Sequence, residues 1–150
     1  MMRFWFDTEF IEDGRTIDLI SIGVVAEDGR KFYAECAECD LTRASPWVLA
    51  NVIPFLDGDK TPRAEIARRL VEFMGEKPEI WGYYADYDWV ALCQLFGTMM
   101  DLPKGWPRYC RDVKQLCDDQ GTPRLPKQTS QEHNALADAA WCAEAWASLQ

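Results

Sequence analysis

The sequence has 150 residues, 48% hydrophobic and 27% charged, with a net charge of -9. A chain of this length suits one domain, residues 1–150, and buries roughly 68–70% of its unfolded surface, so it needs no disulfide framework or structural metal to fold. No apolar run nears the ~20 residues of a membrane span. Asp7 and Glu9 interrupt the apolar N-terminal stretch, which excludes a signal peptide and leaves the cytoplasm as the expected setting.

Residues 3–10 read as an aromatic-rich strand. Residues 17–26 form a nearly continuous apolar run, the pattern of a strand buried on both faces. Asp28-Gly29 between apolar runs signals a hairpin turn, and residues 31–37 read as a third strand. The chain should therefore open with a three-stranded antiparallel meander. Ser45-Pro46 starts a short helix to about Ile53, with proline at the first helical position, and Thr61-Pro62 opens a second in the same way. Ile66, Leu70, Val71, Phe73 and Met74 give that helix an apolar face, and Gly75 stops it.

Next come a short strand at 79–84, a helix at 86–96 ending at Gly97, and a strand at 109–113 running into a helix that ends near Gly121. Residues 121–132 are polar with two prolines and read as a loop, before an Ala-rich helix from Asn134 to Leu149. The order βββ-α-β-α-β-α predicts an α/β layered fold whose sheet mixes antiparallel and parallel strands.

Three acidic features stand out. Asp7 and Glu9 are two residues apart on one strand, so both project to one face, while Phe4, Phe6, Thr8 and Phe10 take the other. Like charges side by side on a mostly buried strand are costly unless something positive is shared between them, and hard divalent cations meet that need. A solvated edge strand is the ordinary alternative. Asp88 follows a strand end, where α/β folds assemble ligand sites. Its neighbour Asp86 is explained as an N-cap for a helix starting at Tyr87, which leaves Asp88 in the first turn.

His133 is the only histidine, and Asp138 follows five residues later. On an ideal helix those positions lie about 140° apart around the axis. They meet only if His133 precedes the helix, with Asn134 as its N-cap. An imidazole on a loop beside a fixed carboxylate suits a general base.

Asp7-Thr8-Glu9, then Tyr87-Asp88, then His133-x4-Asp138 resembles the DEDDh 3′–5′ exonuclease family over nearly the whole chain. The segment 84–89 looks most like the small bacterial and phage exoribonucleases, with RNase T and oligoribonuclease more distant. Many members carry Asn-x-x-Phe-Asp where this chain has Tyr84-Ala85-Asp86-Tyr87-Asp88, so Asp86 stays open as a contributor.

The resemblance implies an RNase H-like (ribonuclease H-like) fold, a mixed sheet flanked by helices. It also implies two-metal hydrolysis at the 3′ end of single-stranded RNA or DNA. Asp7, Glu9, Asp88 and Asp138 would hold two Mg²⁺ or Mn²⁺ ions, His133 would be the general base, and Thr8 and Phe10 would meet the terminal nucleotide. Relatives of this kind commonly dimerise, so a homodimer enters the expectation, although the sequence carries no interface pattern of its own.

Taken alone, the charge of -9 argues against a broad basic nucleic-acid surface. Residues 103–130 carry six basic against three acidic side chains, a local +3 that could guide a phosphate backbone. The competing functions are a non-catalytic nucleic-acid- or partner-binding module of the same fold, an RNase H-like endonuclease, and a redox protein built on Cys36 and Cys39. The lone Cys-x-x-Cys pair and single histidine are too few for a structural zinc site, so these thiols read as reduced and buried.

Overall fold

The apolar run at 17–26 becomes an interior strand of the sheet. In the computed structural model, which describes residues 1–129 and 133–150, β1 (Arg3–Glu12), β2 (Ile17–Ala26) and β3 (Lys31–Cys36) form the antiparallel meander. β2 is paired on both edges, and residues 19–26 are all buried, which is why its sequence does not alternate.

The remaining elements are α1 (Pro46–Asn51), β4 (Lys60–Thr61), α2 (Arg63–Met74), β5 (Glu79–Gly82), α3 (Asp86–Gln94), β6 (Arg111–Asp112), α4 (Val113–Asp119) and α5 (Ala135–Ser148). The sheet has six strands in the order β4-β3-β2-β1-β5-β6. The β3–β4, β1–β5 and β5–β6 pairs are parallel, so the fold is α/β with a mixed sheet flanked by helices.

Several local expectations are corrected by hydrogen bonds from distant residues. β4 is only two residues long, too short to leave a pattern in the sequence. Pro62 sits one position before α2 rather than inside it, and the Glu38 carboxylate accepts the Arg63 N–H at 2.7 Å. Asp86 is the first residue of α3 and does not cap it. The Asp112 carboxylate accepts the Tyr84 and Ala85 N–H groups at 3.3 and 3.0 Å instead. β5 ends at Gly82, two residues early, because the chain turns through Tyr84 at φ 49°. The strand expected at 109–113 shrinks to β6 because Asp112 also caps α4, accepting the Lys114 N–H at 2.8 Å. α3 ends at Gln94, and the loop expected at 121–132 runs partly outside the described residues.

The two faces of β1 meet different helices. Phe6 packs edge-on against Trp89 of α3, with ring centroids 6.4 Å apart. Trp5, on the opposite face, packs against Trp146 of α5 at 5.2 Å. On the α5 side the contact is unusually close. A Cβ on Gly23 would lie 2.4 Å from the Leu136 nitrogen, and Gly23 is the β2 partner of Asp7. Ala135, Ala139, Cys142 and Ala145 are all buried, so α5 presents small side chains inward and its first turn rests on the sheet beside Asp7. Cys36 and Cys39 are buried free thiols, as are Cys93, Cys117 and Cys142. Among the described residues no helix is long and apolar enough to cross a membrane.

Gly23→Ala tests the close approach. The added methyl meets backbone, which cannot rotate away, so a loss of about 1–3 kcal/mol is expected from overpacking. Chemical denaturation checks this, and an unchanged midpoint would contradict the contact.

Candidate active site

Three segments deliver acidic side chains to the same end of the sheet. Asp7 and Glu9 share the β1 face that looks toward α5. Asp138 comes from the first turn of α5, brought close by Gly23. Asp7 and Glu9 each lie within hydrogen-bond reach of the Asp138 carboxyl. Two ionised carboxylates cannot make that contact, so without a cation these groups must share protons.

Asp88 reaches in from the first turn of α3 and is only 7% exposed. Thr8 holds it in place: the Thr8 N–H and hydroxyl both donate to Asp88 Oδ1, at 2.9 and 2.5 Å. The local sequence explains this geometry. Thr8 points to the face of β1 covered by α3, between the two carboxylates that point the other way.

His133 precedes α5 at φ 64°, and Asn134 is the N-cap, its Oδ1 accepting from the Leu136 and Ala137 N–H groups at 3.1 and 3.0 Å. The positive φ lets the chain double back, so the His133 N–H donates to Asp138 Oδ2 at 3.1 Å. The imidazole sits edge-on to Trp47, centroids 4.7 Å apart. A ring nitrogen of His133 and carboxylate oxygens of Glu9 and Asp138 lie within 4.8 Å of one another, a spacing that suits a metal ion.

Gln128 escapes sequence reasoning. Its Nε2 donates to Asp138 Oδ1 at 2.7 Å, yet one glutamine in a polar loop carries no pattern. Asp138 is thereby held on both oxygens.

The electrostatics follow from burial and crowding. Desolvation, with the charges of Asp88, Asp138 and Glu9, pushes the Asp7 carboxyl well above the usual range. Glu9 is pushed up to about 9 by burial and by the charges of Asp138 and Asp88. Asp88 rises to about 6 through burial, a rise limited by its two hydrogen bonds from Thr8. Asp138 is also raised by desolvation, against the pull of Gln128 and His133. No lysine or arginine is prominent among the charges acting on these four groups. Two divalent cations would cancel the formal charge of four carboxylates, and their hard oxygen donors fit Mg²⁺ or Mn²⁺.

Two clefts flank the cluster. One, of about 370 Å³, is bounded by Asp7, Asp138, His133, Gln128, Tyr83 and Trp141. The other, of about 390 Å³, is bounded by Glu9, Phe10, Arg43, Ser45, Trp47 and Val48. Phe10 is half-buried and packs against Tyr87 at 6.1 Å. Thr8 is buried, and both its donors go to Asp88. Asp86 is exposed and is not among the main charges acting on the cluster. In the basic segment, Lys114 pairs with Asp118, Arg111 lies over Trp81 and Tyr109, and Arg124 and Lys127 are exposed. Ser130, at the end of that segment, lies outside the described residues.

Comparison with known proteins adds a relationship to this geometry. Residues 2–150 match the family model described as the 3′–5′ exoribonuclease Rv2179c-like domain. The 3′–5′ exoribonuclease Rv2179c of Mycobacterium tuberculosis is 47% identical over 146 residues, covering 92% of this chain and 87% of its own length. Its counterpart in a second strain of that organism gives the same figures. Among solved structures, a chain from the structure of the yeast NOT1 MIF4G domain co-crystallised with CAF1 aligns with 98% of this chain and 80% of its own, at a TM-score of 0.54. At 13% identity that likeness concerns the fold alone.

The raised carboxyls set a pH dependence. A carboxyl whose pKa is higher in the folded state binds more protons folded than unfolded, so stability falls as pH rises from the unfolded value toward the folded one. With metal chelated, Asp88 should cost stability between about 4 and about 6, and Glu9 between about 4 and about 9. Thermal melts in EDTA should show a midpoint falling from pH 5 to 9, with Asp7→Asn melting higher than wild type at pH 8. A flat profile in both proteins would mean that the carboxylates do not crowd one another.

Proposed function

The chain belongs to the Rv2179c-like 3′–5′ exoribonuclease family, and from that premise we propose that it removes nucleotides one at a time from the 3′ end of single-stranded RNA, using four carboxylates as a two-metal site and His133 as general base. It is a phosphodiester hydrolase by kinship with a 47%-identical exoribonuclease. One observation carries the finer reading: Asp7, Glu9, Asp88 and Asp138 interact in one cluster with His133 beside them. A module that only bound a partner would have no physical need for that convergence.

We read the sheet as RNase H-like. An antiparallel meander continued by parallel β5 and β6 on the β1 side supports this.

Asp7, Glu9, Asp88 and Asp138 would hold the pair of Mg²⁺ or Mn²⁺ ions. When bound, such a pair lowers the pKa of a water and offsets the charge that develops on the phosphate and the leaving oxygen. Thr8 keeps Asp88 oriented through two hydrogen bonds, so that carboxylate needs little rearrangement on loading. Gln128 and the His133 N–H do the same for Asp138. The imidazole of His133 takes the proton of the attacking water at a ring nitrogen. Trp47, edge-on to that ring, limits its rotation. Phe10 and Trp47 bound the neighbouring cleft, where the terminal nucleoside would sit against aromatic surface. A loaded site near neutrality accepts a phosphate despite the net charge of -9.

Incubation of 5′-labelled single-stranded RNA with Mg²⁺ should give a ladder shortening from the 3′ end, with mononucleotides as product. EDTA should stop it, and internal fragments would point to an endonuclease instead. His133→Ala should lower kcat on the order of 10²–10⁴-fold while Mn²⁺ binding by calorimetry persists. An unchanged kcat would remove His133 from the role of base.

A further inference from the structure

The cleft beside Asp7 has a wall that the chemistry above leaves without a task. Tyr83 and Trp141 bound it together with Asp7 and Asp138. The Tyr83 ring is edge-on to both Trp141 and Tyr84, with centroids 4.9 Å away in each case. Trp141 and Tyr83 thus border the carboxylates, and Tyr84, the ring packed against Tyr83, is 65% exposed.

Core packing does not account for Tyr84, and its backbone is unusual. Its φ of 49° lies in the left-handed region, uncommon for an aromatic residue. The turn is held there by Asp112, which accepts the Tyr84 and Ala85 N–H groups at 3.3 and 3.0 Å. Strained backbone fixed by a distant carboxylate, with a large ring displayed to solvent, is a feature of binding sites. Asp112 also caps α4, which brings Lys114 near. Lys114, ion-paired with Asp118, is close enough to interact electrostatically with both tyrosines.

We propose that the exposed Tyr84 ring, braced edge-on by Tyr83, is a stacking shelf for the nucleobase on the 5′ side of the scissile phosphate. This rests on the exoribonuclease reading and adds to it the route by which the rest of the RNA leaves the site. Exposed aromatic rings beside a cation suit single-stranded nucleic acid, because every base has a face to stack. The direction follows from the two clefts. The one beside Glu9 is walled by Phe10, Trp47 and Val48, with Arg43 tied to Asp13 at 2.5 Å, and suits a chain end. A strand that continues past the scissile bond must reach solvent, and beyond Tyr83, which lines the cleft beside Asp7, the Tyr84 ring is exposed.

The test compares two RNA oligonucleotides that differ only at the penultimate nucleotide, one bearing a base and one abasic. Wild type should show a KM about tenfold lower for the base-bearing substrate, the size expected of one stacked base. Tyr84→Asn removes the ring and tolerates the positive φ, so misfolding does not confound it. In this variant the two KM values should converge, with the change in KM and not kcat. Discrimination as strong in Tyr84→Asn as in wild type, or absent from wild type, would overturn the shelf alone. No mononucleotide release by wild type from either substrate would overturn the nuclease reading as well.

Discussion

Mutual repulsion among four carboxylates is the constraint around which this molecule is arranged. Asp7, Glu9, Asp88 and Asp138 come from β1, α3 and α5, and each lies where its charge raises or is raised by the others. Left alone they would separate or keep their protons. They are held by fixed donors: Thr8 on Asp88, and Gln128 with the His133 N–H on Asp138. These bonds fix Asp88 and Asp138 in place, while the crowding of the four carboxyls costs folding stability, an exchange common at functional sites.

Much of this was legible in the sequence because it rests on short-range rules. The period of two in a strand placed Asp7 and Glu9 on one face. The geometry of a helix required His133 to precede α5, and Asn134 caps it as that reading needs. The meander followed from the apolar runs and Asp28-Gly29. What the sequence hid is long-range: Glu38 at the start of α2, Asp112 on the turn at Tyr84 and Gln128 on Asp138 are single polar side chains acting across 25, 28 and 10 residues. Such residues look like ordinary surface polarity until the fold brings their partners to them. Asp86 shows the reverse case: a local capping rule gave it a task that no side chain performs, while Asp112 holds the turn before α3 from afar.

The charge balance looks different once the cluster is on the page. The net charge of -9 counts four groups that need not be ionised together. An RNA strand approaching the cluster therefore meets less repulsion than the composition suggests, while the acidic remainder disfavours lingering contacts elsewhere on the surface.

The missing side chain at Gly23 has a consequence for the order in which the molecule comes into being. Asp7 leaves the ribosome well before its companion Asp138. A nascent chain can pair β1 with β2 early, since a four-residue connection closes cheaply. The groove over Gly23 then stays empty until α5 emerges to fill it. The acidic cluster is thus completed only when α5 docks, so a nascent chain that stops before α5 holds Asp7 and Glu9 without Asp138.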